Sequence, residues 1–165
     1  MTAQLPEDAR AVVVTASNRA AFGVYEDRSG QALADGLREL GFQVEGPHVR
    51  PDDAAELEMV LQQAVIEGAD VVLTTGGTGL SPTDVTPEAT RAVLEREAPG
   101  IAEAVRRYGV EHGVPTSVLS RGLAGTAGRT LIVNLPGSTG GVKDGLAVLG
   151  PLLPHVVSQL RGGDH

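Results

Sequence analysis

The sequence contains no cysteine and no tryptophan, and apart from histidine its only aromatic rings are Phe22, Tyr25, Phe42 and Tyr108. Without cysteine there is no disulfide, thiolate nucleophile, Cys-ligated zinc or iron–sulfur cluster. Four rings are too few for a base-stacking platform, which argues against single-strand nucleic-acid binding of that kind. Lysine is scarce as well: Lys143 stands against twelve arginines, so Schiff-base chemistry has one candidate. No 18-residue apolar run occurs and Met1 to Arg10 has no apolar signal core, so the chain reads as soluble and cytoplasmic, with no membrane partner. The histidines, His48, His112, His155 and His165, show no metal-ligand spacing and read as surface residues.

What is present fits a globular chain. Its 165 residues are 41% hydrophobic and 21% charged, as expected of a single domain over 1–165, with 1–9 and 162–165 as flexible ends and a core of Ala, Val, Leu and Ile. The net charge of −8 disfavours nucleic-acid backbones. Acids crowd residues 52–111, whereas the last third, with Arg121, Arg129, Lys143 and Arg161, is mildly basic and is expected to supply the cations for an anionic ligand.

Short apolar runs at 11–16, 42–49, 70–75 and 130–135 read as strands. Helical spacing marks 29–40, a helix capped by Asp52 or Asp53, another with Thr86 as N-cap and Pro87 next, and one from Pro99 with Ile101, Ala104, Val105 and Tyr108 on one face. The region from Gly140 to Leu160 is helical but interrupted by Pro151 and Pro154. This alternation implies an α/β fold with a mainly parallel sheet and helices on both faces, whose ligands bind at the carboxyl ends of the strands.

Two loops fall at that edge. Thr75-Gly76-Gly77-Thr78-Gly79 is either a tight strand-to-helix turn or a phosphate cradle of backbone amides; it has neither the P-loop nor the dinucleotide spacing. Asp84 shortly after it is either a capping acid or a carboxylate brought beside phosphate by Mg²⁺. Asn134-Leu135-Pro136-Gly137-Ser138 is either a plain strand-to-helix turn with an N-cap Ser or, facing the same crevice as the first loop, an anion site made by that Ser and the free amides. Asp27 and Asp52 fall where connections meet helix starts, as caps do. Ser120-Arg121 is either a surface loop or an Arg placed on phosphate.

Taken in order, Glu26-Asp27-Arg28-Ser29-Gly30, Pro51-Asp52-Asp53, Thr74 to Gly79, Asp84-Val85-Thr86-Pro87-Glu88, Glu97-Ala98-Pro99-Gly100, Leu119-Ser120-Arg121 and Asn134 to Ser138 resemble the molybdopterin adenylyltransferases of molybdenum-cofactor biosynthesis, a family that includes the gephyrin N-terminal domain. The resemblance runs from about Arg10 to Leu160. It implies a three-layer α/β/α domain, a homotrimer, and Mg²⁺-dependent transfer of AMP from ATP to the terminal phosphate of molybdopterin with release of pyrophosphate. It also implies hand-over of the product to a molybdate-inserting protein. Carried over residue by residue, Asp52 and Asp84 are the essential acids that hold Mg²⁺ and the reacting phosphates, and Asp27 is a further acid near the site. Thr75, Gly76, Gly77, Thr78 and Gly79 cradle phosphates, and Ser120, Arg121, Asn134, Pro136, Gly137 and Ser138 hold nucleotide or pterin. Phe22 or Tyr25 is the ring placed to stack. The alternative within this fold is a non-catalytic pterin-binding or assembly protein. The chain departs from many relatives at Asn18, where they carry Asp, and at Thr83, where they carry Arg.

Overall fold

The computed structural model describes residues 3–163. His165 and the outermost ends, 1–2 and 164–165, lie outside the described residues. The elements follow in the order β1 (Arg10–Ala16), α1 (Asn18–Ala21), α2 (Arg28–Leu40), β2 (Gln43–Arg50), α3 (Ala54–Ile66), β3 (Val71–Thr75), α4 (Thr86–Val93), β4 (Arg96–Glu97), α5 (Pro99–Glu111), a 3₁₀ turn (Pro115–Leu119), β5 (Ala124–Ala127), β6 (Thr130–Leu135), α6 (Thr139–Leu149) and α7 (Leu153–Leu160). Six strands form one sheet in the order β2-β1-β3-β6-β5-β4. The first four in that order run parallel, and β5 and β4 complete the sheet antiparallel.

Strand periodicity explains why β1, β3 and β6 are apolar throughout. Side chains alternate between faces, so Val13, Leu73, Leu131 and Val133 pack beneath α2, α5, α6 and α7. Val12, Val14, Val72 and Ile132 pack on the opposite face against Leu57, Leu61 and Ala64 of α3 and Ala89 of α4. A strand covered on both faces needs an unbroken apolar run. The result is three layers, α/β/α.

The two antiparallel strands went unread in the sequence. Ala124–Ala127 is built of small residues and β4 of only two charged ones, so neither carries β-branched periodicity. Smallness is the point at Gly125: a Cβ there would lie 2.2 Å from the carbonyl oxygen of Arg96 on the neighbouring strand. The helix that starts at Thr86 stops at Val93, and β4 takes up part of the stretch between it and Pro99. On α5 the buried residues are Ala102, Val105 and Gly109; of the expected face Val105 is buried and Ile101 packs partly buried against the core, while Ala104 and Tyr108 are not among the buried residues. The C-terminal helical region is two helices, and Pro154 sits in the first turn of the second, where its missing N–H costs nothing.

The segment before β1, expected as a loose end, is packed from Leu5 onward. Leu5 lies against the α2-side core and Ala9 is fully buried. At this amino edge of the sheet Asp70 accepts from the Arg10 N–H at 2.9 Å and from Arg161 Nε and Nη2 at 2.9 and 2.8 Å, while Arg161 Nη1 reaches Asp8 at 2.9 Å. No helix among the described residues is long and apolar enough to cross a membrane.

Candidate active site

Register places the site. Thr15 of β1 pairs with Thr75 of β3, Thr75 with Leu135 of β6, and Ala16 with Arg50 of β2, so four parallel strands end side by side. The loops leaving them enclose a cleft of about 640 Å³. Its walls are Thr15 to Ala20, Tyr25 to Ser29, Asp52, Thr75 to Gly77, Thr83 to Asp84, and Gly137 to Thr139. All three expected acids, Asp27, Asp52 and Asp84, therefore line one cleft, from separate parts of the chain.

The central loop turns through two consecutive positive-φ glycines, Gly76 at +93° and Gly77 at +70°, a conformation that side chains disfavour. Added Cβ atoms would lie 2.3 Å from the Ala16 carbonyl oxygen and 2.2 Å from Thr86 Oγ1. Gly137 crosses so close that its own Cβ would lie 3.2 Å from the Cα of Gly76. The Gly76 N–H donates to the Leu135 carbonyl at 3.1 Å, and the Thr75 hydroxyl to the Pro136 carbonyl at 2.7 Å. The two loops are thus tied together, and the Gly76 amide is spent on that tie instead of on a ligand.

The expected cradle divides in two. Gly76 and Gly77 face the cleft, whereas Thr78 and Gly79 turn back onto Arg121: Arg121 N donates to the Thr78 carbonyl and Nε to the Gly79 carbonyl, both at 2.8 Å. Arg121 also sends Nη2 to the Asp84 carbonyl at 2.8 Å and Nη1 to Glu88 Oε2 at 2.8 Å. Four of its five side-chain N–H donors are committed, so it braces the loop that carries Asp84 and lies outside the cleft wall. Asn134 is likewise internal. It is buried, with Nδ2 donating to Thr74 Oγ1 at 3.0 Å and Thr90 Oγ1 at 2.9 Å, and Oδ1 accepting from the Leu123 N–H at 3.0 Å. Ser120, Asn134 and Pro136 border a separate shallow depression of about 20 Å³ between α5 and α6, beside Arg106 and Asp144.

The acids differ in state. Asp27 is the N-cap of α2, with Oδ1 accepting from the Gly30 N–H at 3.0 Å and Oδ2 from the Thr15 hydroxyl at 2.9 Å. Asp53, not Asp52, caps α3, and Asp52 is free for the cleft. Asp52 and Asn18 hold each other: Asn18 Oδ1 accepts from the Asp52 N–H at 2.8 Å, and Asp52 Oδ2 accepts from the Asn18 N–H at 3.3 Å. Burial pushes the Asp52 carboxyl above its ordinary range, the Asn18 N–H pulls it back, and the charge of Asp84 adds to the rise. Asp84 is held by the Ser81 N–H at 3.1 Å.

Positive potential comes from helix ends and from the N-terminal third. α6 presents Ser138, whose Oγ accepts from the Gly141 N–H at 3.0 Å, and α2 starts at the cleft too. Helix N-termini attract anions. The arginines on the wall are Arg19 and Arg28. The expectation that the last third supplies the cations is therefore corrected, because Arg121 is a brace and Arg161 is locked at the opposite edge. Of the two rings, Tyr25 lines the cleft and Phe22 does not. Thr15, Asn18, Arg19 and Thr139 were not singled out as site residues; Asn18 stands out only as a departure from relatives, and the signal the others carry is their place at a strand end or in the loop and helix start that follow.

Two carboxylates in one cleft suit a divalent cation that keeps waters and takes its remaining oxygens from phosphates. Among the described residues no three His, Cys, Asp or Glu side chains gather to make an all-protein metal cage. Asp52 Oδ1 is buried without a hydrogen-bond partner, which leaves acceptor capacity at this point. The donor set fits Mg²⁺ held jointly with a ligand.

A family model described as a probable molybdopterin binding domain matches residues 12–155. The chain belongs to this family. A molybdopterin adenylyltransferase from Helicobacter pylori is 38% identical over 91% of this chain and 86% of its own length. A molybdenum cofactor biosynthesis bifunctional protein from Synechococcus elongatus is 39% identical over 94% of this chain, which spans 48% of that relative. Among solved structures, the molybdopterin biosynthesis Mog protein from Mycobacterium ulcerans superposes with a TM-score of 0.87 at 50% identity, covering 92% of this chain and 99% of that one. The family's fold is the three-layer, mostly parallel arrangement seen here.

Proposed function

We propose that the chain is a molybdopterin adenylyltransferase that transfers AMP from ATP to the terminal phosphate of molybdopterin. The observation that carries this reading is the convergence of Asp52 and Asp84 on one cleft walled by helix N-termini and glycine backbone. In the reaction an oxygen of the pterin phosphate attacks the α-phosphorus, the bond to the β-phosphate oxygen breaks, and pyrophosphate leaves with the electron pair. No protein nucleophile is needed, in keeping with a chain that has no cysteine and one lysine. The residues align the two phosphates and balance their charge. Asp52 and Asp84 would hold Mg²⁺, which when bound offsets phosphate charge. Arg19, the Ser138 end of α6 and the Gly77 backbone stand where phosphate oxygens can be received, and Tyr25 offers the ring for stacking.

The names of the relatives support catalysis over a purely pterin-binding role. We read the working form as a homotrimer in the cytoplasm that passes its product to a molybdate-inserting protein. Light scattering at several concentrations checks the trimer. The reaction is tested with purified protein, molybdopterin, ATP and Mg²⁺: adenylylated pterin and pyrophosphate are expected. Asp84→Asn should lower turnover by at least about a hundredfold, as for removal of a transition-state electrostatic group, with an unchanged circular dichroism spectrum. Full activity in that variant would refute the assignment of Asp84.

A further inference from the structure

Two side-chain atoms among the described residues are buried without a hydrogen-bond partner, Asp52 Oδ1 and Thr86 Oγ1. Both face Gly77: a Cβ on this glycine would lie 2.2 Å from Thr86 Oγ1 and 3.2 Å from Asp52 Oδ1. One is an acceptor and the other carries a proton to donate, so their chemistry is complementary.

Thr86 is not the helix cap that its place before Pro87 suggests. It is the first residue of α4, Val85 stands at the cap position, and no side chain caps the helix there. Its N–H donates to the Gly77 carbonyl at 3.1 Å, which seats the side chain behind the glycine loop, fully buried and off the cleft wall. A valine of the same shape would fill this space without an unmet hydroxyl. The hydroxyl therefore has no hydrogen-bond partner in the structure as it stands, while the one buried unpaired carboxylate oxygen among the described residues lies across the same glycine. A side chain at position 77 would block the approach of each to the other.

We propose that Thr86 is a positioning residue for Asp52: in the ligand-bound cleft its hydroxyl donates to Oδ1 and fixes the carboxylate that receives the cation. Thr86 touches neither substrate nor metal. On this view Asp52 is held from both sides, by the Asn18 N–H on Oδ2 and by Thr86 on Oδ1. The inference rests on the reading of the cleft as a MgATP site.

The test compares wild type, Thr86→Val and Thr86→Ser by urea unfolding of the free protein and by calorimetric titration with ATP, in EDTA and with Mg²⁺. The valine variant should be no less stable than wild type, bind ATP in EDTA equally well, and bind MgATP about tenfold more weakly, the usual effect of removing a partner that orients a ligating group. The serine variant, which keeps the hydroxyl, should bind MgATP as wild type does. Equal MgATP affinity in the valine variant overturns the role of Thr86 while leaving the cleft reading intact. Loss of stability together with equal weakening of ATP with and without Mg²⁺ overturns it in favour of a structural role. Failure of the wild type to show Mg²⁺-dependent ATP binding overturns the cleft reading and the role of Thr86 with it.

Discussion

Replacing Asn134 with alanine separates two readings of this residue. If its amide serves the fold, as its hydrogen bonds indicate, the variant loses stability; if it serves a ligand, it loses affinity instead. The Leu123 N–H, which now donates to Oδ1 at 3.0 Å, cannot turn away and would be left buried and unmet. An orphaned backbone donor costs about 1–3 kcal/mol. The Thr74 and Thr90 hydroxyls lose their donor but can rotate, and Thr90, inside α4, can turn to a helical carbonyl, so their joint cost is smaller, about 1 kcal/mol. The space vacated by the amide adds a cavity cost of about 1 kcal/mol. The expected loss is about 3–5 kcal/mol, which for a chain of this size lowers the melting midpoint by roughly 6–20 °C. Urea unfolding followed by circular dichroism gives the free energy, and titration with ATP or pterin below the transition gives the affinity. A stability within about 1 kcal/mol of wild type, outside the expected loss, combined with a large drop in affinity, would refute the structural role and return Asn134 to the ligand site.

Two further outcomes follow from the same contacts. Arg121→Lys should leave the fold intact and lower kcat by about tenfold or more, because a lysine cannot span the Gly79 and Asp84 carbonyls and the Glu88 carboxylate together; limited proteolysis should show the 79–84 loop cut faster than in wild type. At the opposite edge, burial alone would raise the Asp70 carboxyl, but the Arg161 fork and the Arg10 N–H outweigh it and hold it below its ordinary value. A depressed carboxylate contributes stability above its unfolded value of about 4, and loses that contribution as pH falls through the folded value. Arg161→Ala should therefore cost about 3 kcal/mol at pH 7, and the gap to wild type should shrink as urea midpoints are followed from pH 5 to pH 2. A constant gap would show that the ion pair is not its source.

The alternation of apolar runs and helical spacing determined by itself that this is an α/β chain with a parallel sheet, because strands buried on both faces must be apolar throughout and their helices must carry one apolar stripe. The ordered motifs also singled out Asp27, Asp52 and Asp84, since acids and glycines at strand ends are local features of the chain. The sheet's antiparallel edge was beyond such reading: Gly125 is needed for its closeness to Arg96, on a strand far away in sequence, and closeness leaves no local pattern. The same holds for the division of labour within the site. Arg121 and Asn134 carry groups that bind ligands well, and the sequence places them in the right loops. Only the tertiary structure shows that nearly all of their donors are already taken, by Gly79, Asp84 and Glu88 in one case and by Thr74 and Thr90 in the other. A side chain's chemistry is written in its residue type, but whether it is free to act depends on partners that the fold brings from elsewhere. Thr86 shows the converse, a residue read as a helix cap that the fold leaves unpaired beside Asp52.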